Sequence, residues 1–326
     1  MTFPAQPTEI FTTFAANFKK CRKYMPNTTF KGFAYGAIAA ASYGLNPLFA
    51  LPLYSAGMNP DSVLFYRYGI AVVMLFVLML GQKQSFALKK AEVAPLVLMG
   101  ILFSFSSLTL FMSYNYMDAG IASTILFAYP VLVAIIMAVF FKEKVSFVTM
   151  FSIALAFTGI MLLYRGEGGK TLSLLGVLLV FISSLTYAIY IVGVNRSVLR
   201  EMSTLKLTFY SVLFGMSVYI VRLKFGLILQ PIPSAELWLN PVGMALFPTI
   251  ISLIFMTKSI HYIGSTPAAI LGALEPITAL VIGVTIFGEA LTPRIILGII
   301  LILSAVMLII VGKSLMRAIR VRLLHK

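Results

Sequence analysis

Two stretches decide the fold: YPVLVAIIMAVFFKEKVS, residues 129–146, and EPITALVIGVTIFGEALT, residues 275–292. At a shift of 146 positions, Pro130 meets Pro276, Phe141 meets Phe287, Glu143 meets Glu289, and Ser146 meets Thr292. Both stretches are apolar runs with a helix breaker inside them. The second also carries Glu275, an acid where a charge costs a few kcal/mol if it faces lipid. The same shift holds without a gap from residue 95 to 162, so that Pro95 meets Pro241, Ser106 meets Ser252 and Tyr116 meets Tyr262. At a shift of 144, SYGL (42–45) meets TYAI (186–189) and FYRY (65–68) meets FYSV (209–212). Chance identities are common among apolar residues. A sustained register that pairs the rarer Pro and Glu instead argues for a duplicated unit.

The chain has 326 residues, of which 60% are hydrophobic and 11% charged. A soluble domain of this length needs more charge on its surface, so the composition reads as an integral membrane protein. Ten stretches have the roughly 20 apolar residues that a bilayer core demands. They run over 33–54, 62–80, 94–114, 119–141, 146–164, 173–194, 204–223, 241–259, 266–287 and 293–312. Period-2 alternation is missing, which argues against a barrel, so the spans are expected to be helices. Asn59-Pro60-Asp61-Ser62 reads as the start of the second span and Thr292-Pro293 as the start of the tenth, each a cap followed by Pro at the first helical position.

The net charge of +15 would suggest nucleic acid in a soluble protein. In a membrane protein it reads as topology, and no nucleic-acid partner is expected. With the N-terminus inside, 19 of the 25 Lys and Arg residues fall on the cytoplasmic side and five outside, and Arg67 falls within a span. Both termini are therefore expected in the cytoplasm, with the protein in the cell (inner) membrane. Residues 1–31 form a tail that lacks the apolar run of a signal peptide. Ile10, Phe11, Phe14 and Phe18 recur there at helical spacing, which fits either a short interfacial helix or a disordered tail. Residues 313–326 form a basic tail suited to anionic lipid. One cysteine and two distant histidines exclude an internal disulfide and argue against a metal enzyme. No cofactor is expected, and without a Walker motif or a soluble ATP-binding domain no ATP hydrolysis by this chain is expected.

The expected fold is all-α, with ten transmembrane helices in two five-helix repeats over residues 32–165 and 172–312. An odd number of helices per repeat makes the second copy enter from the opposite side. Inverted repeats of this kind are a transporter architecture, with the substrate site near mid-membrane between the copies.

Several motifs resemble the EamA-type, ten-helix branch of the drug/metabolite transporter superfamily. They are Tyr43-Gly44-Leu45-Asn46-Pro47, Phe65-Tyr66-Arg67, the paired Pro…Phe-x-Glu-x-x-(Ser/Thr) runs quoted above, and Glu275-Pro276. The resemblance covers about residues 32–312. It implies a ten-helix transporter of amino acids, other small metabolites or drugs, working in the export direction.

Several residues are candidates to carry the function. Glu275, near the centre of the ninth span, must face a cavity, pair with a base or stay protonated. It reads as a site for a substrate amine or a proton, or as a locked structural acid. Arg67 lies six residues beyond Asp61. At about 1.5 Å per residue it sits within roughly 7 Å of the depth of Glu275 in a core of about 30 Å. It could pair with Glu275, clamp a substrate carboxylate with its fork, or snorkel to headgroups. Tyr129 occupies the repeat position of Glu275. Tyr43, Asn46, Tyr187, Tyr190 and Ser107 are further candidates for a polar lining. Ser104, Ser106, Thr109 and Ser113 join Ser107 in the third span, where helix packing explains them equally well.

Pro130 and Pro276 are candidate hinges that free the carbonyls of Leu126 and Gly272, for a ligand or for flexing. Glu143 and Glu289 are expected to stabilise the N-terminus of the following helix. Asp118 is expected to be solvated in an outer loop, and His261 to be interfacial. The favoured function is secondary transport of a small-molecule substrate by alternating access, with proton coupling and uncoupled movement both open. A membrane-embedded enzyme and a channel or sensor are the competing classes.

Overall fold

The structure is a computed structural model, and it describes residues 27–142, 147–164, 173–264, 268 and 271–324. Among these residues there are helices and no strands. Seven helices are long and apolar enough to cross a membrane: Thr28–Ser55, Pro60–Gly81, Lys90–Ser113, Ala119–Phe141, Leu174–Arg196, Thr204–Arg222 and Glu236–Ile263. They fall on the expected first to fourth and sixth to eighth spans. Three shorter apolar helices, Phe147–Leu163, Leu274–Phe287 and Pro293–Leu308, fall on the fifth, ninth and tenth. The chain is therefore an all-helical, multi-pass membrane protein.

Local chemistry sets the helix ends. The Asn59 side chain accepts a bond from the Ser62 amide at 2.8 Å, with Pro60 at the first helical position. Thr292 Oγ1 accepts from the Ile295 amide at 3.3 Å ahead of the helix that begins at Pro293. That last helix runs on to Leu324, so the expected tail from Lys313 continues the tenth span as helix up to that residue. Residues 1–26, which include the candidate N-terminal interfacial helix, lie outside the described residues, as does Glu143.

The packing repeats from one half to the other. The first span packs on the eighth and ninth, as the sixth packs on the third and fourth. The second packs on the eighth, as the seventh packs on the third. The second and seventh, fourth and ninth, and fifth and tenth pack on each other. The fifth and tenth spans meet at Gly159 and Gly298, where an added Cβ would lie 2.8 and 3.0 Å from the other glycine's carbonyl. Missing side chains let the two backbones touch, and close packing is what holds helices together where lipid removes the hydrophobic drive.

At four of the prolines within the spans, a nearby donor takes up the carbonyl that the ring leaves unpaired. A proline leaves the carbonyl four residues earlier without its amide partner. For Pro47 that carbonyl is Tyr43, which accepts from Asn46 Nδ2 at 2.9 Å. For Pro130 it is Leu126, which accepts from Ser184 Oγ at 3.2 Å. For Pro248 it is Met244, which accepts from Thr249 Oγ1 at 3.2 Å, in a span widened to a π-helix over Ala245–Ile251. For Pro276 it is Gly272, which accepts from the Glu275 amide at 3.0 Å. The fourth span accordingly breaks between Leu126 and Tyr129, and the ninth turns at Gly272-Ala273. The carbonyls expected to be free at Pro130 and Pro276 are thus both occupied.

Glu289 differs from its expected role. It does not cap the helix that follows it. Gly288, at φ +69°, turns the chain back, and Glu289 accepts from the amides of Ala119 at 2.8 Å and Gly120 at 3.1 Å. It therefore caps the fourth span, where Asp118 holds the N-cap position without a side-chain bond. Gly283 leaves room for this carboxylate, since an added Cβ there would collide with it. Asp118 is half-buried rather than solvated, and burial raises its pKa. Burial also raises Glu289, with the Asp118 charge adding to it and the two amides acting the other way.

Candidate functional site

A cavity of about 470 Å³ lies between the two halves. The first span contributes Ala40 and Tyr43, the second Arg67, the third Phe103, and the fourth Leu126 and Tyr129. The sixth gives Tyr187 and Tyr190, the seventh Thr208 and Ser211, and the ninth Gly272 and Glu275. The eighth supplies a wall from Pro248 and Thr249 to Met256 and Ile260. Among the described residues, the fifth and tenth spans take no part in the lining.

Ten of these residues form five pairs in the two sequence registers. Tyr43 with Tyr187 and Arg67 with Ser211 follow the shift of 144, while Phe103 with Thr249, Leu126 with Gly272 and Tyr129 with Glu275 follow the shift of 146. The cavity therefore lies where equivalent surfaces of the two halves face each other. The chemistry within the pairs is unequal: a guanidinium faces a hydroxyl, and a carboxylate faces a phenol. One basic and one acidic group consequently line a volume otherwise walled by rings, aliphatic side chains and the hydroxyls of Thr208, Ser211, Thr249 and Ser252.

Arg67 is 5% exposed. Its Nη2 donates to Thr249 Oγ1 at 3.4 Å, and its guanidinium lies 5.5 Å from the centroid of the Phe111 ring. Thr249 passes the polar chain on to the Met244 carbonyl freed by Pro248. Glu275 is half-buried against the same cavity. No ion pair joins Arg67 and Glu275 among the described residues; the ion pair present there is Arg222 with Asp61. The aromatic wall is continuous. Tyr129 meets Tyr187 edge-on at 4.8 Å, Tyr187 stacks on Tyr190 at 5.9 Å, and Tyr190 lies 5.3 Å from Phe103. Such rings offer apolar faces and phenol hydroxyls, and their faces attract cations.

Of the residues picked out in the sequence, Glu275, Arg67, Tyr129, Tyr43, Tyr187 and Tyr190 line this cavity. Asn46 and Ser107 do not. The Asn46 amide is turned onto the Tyr43 carbonyl, and Ser107 shares a hydrogen bond with Tyr68 at 2.9 Å. Ser106 and Ser183 exchange hydroxyl-to-carbonyl bonds at 2.9 and 2.7 Å, so this part of the serine-rich third span packs on the sixth. The sequence reading missed Phe103, Ser211 and Thr249. The register pairing could have found Ser211, the repeat mate of Arg67, whereas Phe103 and Thr249 are mates of each other and neither carried a signal of its own.

A cavity between helical halves of a multi-pass membrane protein, lined by one acid, one base and several rings, fits the class of membrane transporters. Residues 30–165 and 174–311 each match the EamA-like transporter family, and the chain belongs to that family. Among its relatives, the uncharacterized transporter YyaM of Bacillus subtilis is 26% identical over 274 residues, covering 79% of this chain and 87% of the relative. An uncharacterized transporter of Archaeoglobus fulgidus is 27% identical over 191 residues, covering 59% of this chain and 67% of the relative. A solved crystal structure aligns with a TM-score of 0.58 at 16% identity, covering 86% of this chain and 95% of that one, a likeness of fold alone.

Proposed function

We propose that this protein is a secondary transporter whose two five-helix halves are inverted copies. Between them it moves small polar or amphipathic metabolites, such as amino acids and related compounds or drugs, by alternating access. The observation that carries this reading is the cavity lined by register-paired residues, with Arg67 and Glu275 in reach of one ligand. Arg67 would take a substrate carboxylate with its fork, and Glu275 a substrate amine or a proton. Tyr43, Tyr129, Tyr187 and Tyr190 would enclose the body of the substrate. The breaks at Pro130 and Pro276 would let the fourth and ninth spans bend as access changes.

The cavity reaches Ile260, three residues from the end of the eighth span, so it extends toward the face that carries both termini. With 19 of the 25 basic residues on that face, the positive-inside rule supports a cytoplasmic orientation and hence an inward-facing state ready to load for export. The decisive experiment places purified protein in liposomes and follows radiolabelled amino acids, with and without a proton gradient. Wild type should show flux that Glu275→Gln loses. Equal flux in both would remove Glu275 from the mechanism, and saturable flux that ignores the gradient would remove proton coupling.

A further inference from the structure

The linker between the seventh and eighth spans has two apolar sides. Leu223 is 1% exposed, and Leu229, Ile232 and Leu237 pack against the core. The other side shows Phe225 at 81%, Leu227 at 86%, Trp238 at 45% and Leu239 at 73% exposure. Single exposed apolar residues are ordinary, but large ones grouped at the start of one short linker and in the first turn of the span after it mark a contact surface.

The backbone holds this presentation at a cost. Lys224 and Phe225 sit at φ +50° and +57° ahead of Gly226 at +98°. A bulky residue is disfavoured in the left-handed region, so such a turn persists only where its surroundings enforce it. Gln230 supplies that enforcement. Its Oε1 accepts from the Asn59 amide at 2.5 Å, its Nε2 donates to the Gly57 carbonyl at 3.3 Å, and its own amide donates to Ser62 Oγ at 3.1 Å. Its carbonyl accepts from Tyr66 at 3.1 Å. Trp238 meets the edge of Tyr66 at 5.4 Å. The inner edge of the linker is thereby fastened to the second span and to the loop that precedes it, and Phe225 and Leu227 are thrown outward.

We infer that the segment Lys224–Leu239 is a membrane-surface anchor whose partner is the lipid interface on the face opposite the chain termini. Continuity selects lipid as the occupant. Phe225 and Leu227 follow Val221, which is 61% exposed at the end of the seventh span, and Trp238 and Leu239 lie in the first turn of the eighth. The exposed rings therefore extend the apolar belt of the spans at the level where Trp and Tyr favour the headgroup boundary. Lys224 lies beside Phe225, where a long basic side chain can reach the phosphates.

Trp238 is the only tryptophan in the chain, which makes the test direct. The full protein is reconstituted in phosphatidylcholine vesicles, and its emission is read with lipids brominated near the headgroup, with lipids brominated near the chain end, and with aqueous iodide. Trp238 should lose most of its emission to the shallow bromines, less to the deep ones and little to iodide. A second protein, Leu227→Trp with Trp238→Phe, moves the reporter to the most exposed position, away from Tyr66, and should behave the same way. Iodide quenching without bromolipid quenching in both proteins would overturn the inference in favour of a water-facing loop. Quenching by neither agent, changing with protein density in the vesicle, would overturn it in favour of a second copy of the chain. The readout does not involve transport, so it stands or falls separately from the proposed function.

Discussion

Tyr66 and Tyr210 make the same hydrogen bond at opposite ends of the second span. Tyr66, near its start, donates to the Gln230 carbonyl in the linker between the seventh and eighth spans at 3.1 Å. Tyr210, near the start of the seventh span, donates to the Phe86 carbonyl in the linker between the second and third at 2.5 Å. The tyrosines are 144 positions apart, and so are the acceptors. An inverted duplication would produce this arrangement, each half tying down the other's linker. Removing either hydroxyl should therefore cost a similar amount, about 1 kcal/mol. Chemical-denaturant unfolding of Tyr66→Phe and Tyr210→Phe in detergent checks this, and a large cost in one with none in the other would speak against equivalence.

Glu289 joins the ninth and fourth spans through charge-assisted bonds to two amides. Glu289→Ala would leave both amides without that partner and should cost about 1.5–3 kcal/mol. Glu289→Gln, which keeps one acceptor, should cost less. Thermal unfolding of the two variants in the same detergent gives the order.

The same carboxylate predicts a pH dependence. Glu289 and Asp118 are both raised from the ordinary carboxylate value, chiefly by burial. An acid raised in the folded state stabilises the fold when protonated. Its contribution is full below the unfolded value, about 4, and fades as pH climbs through the raised value. The wild type should therefore gain more stability than the Glu289→Gln/Asp118→Asn double variant as pH falls from neutral toward about 4.5. Melting temperatures of both proteins across that range provide the check, and parallel curves would contradict it.

Asp61 and Arg222 form a two-pronged ion pair at 2.5 and 3.1 Å, with Arg222 44% exposed. Exposed pairs contribute little, so Asp61→Asn should cost less than about 1 kcal/mol, and the difference should shrink in high salt. A large, salt-insensitive loss would mean that this pair is held away from solvent.

Arg67 offers two forked donors where lysine would offer a point charge. On the proposed function, Arg67→Lys should raise the half-saturating concentration of a carboxylate substrate about tenfold or more while the protein stays folded. Concentration series in proteoliposomes measure this. An unchanged half-saturation would place Arg67 in the structure alone, with Thr249 and Phe111.

The sequence by itself determined the helices, their number, the repeat and the breaks at Pro130 and Pro276. A bilayer accepts few kinds of segment, and Pro, capping residues and apolar length act over one or two helical turns. It also marked Glu275, because an acid in an apolar run has few tolerable surroundings. It did not determine which side of each helix faces inward. Membrane helices are apolar toward lipid and toward one another alike, so the pattern of Asn46, Ser107 and Thr249 carries no direction of its own. Only the tertiary structure turned Asn46 and Ser107 away from the cavity and Thr249 into it. Only the tertiary structure sent Glu289 to a helix 170 residues back in the chain. Contacts of that range depend on how the spans are arranged and rotated, and that is settled by the packing of the whole bundle.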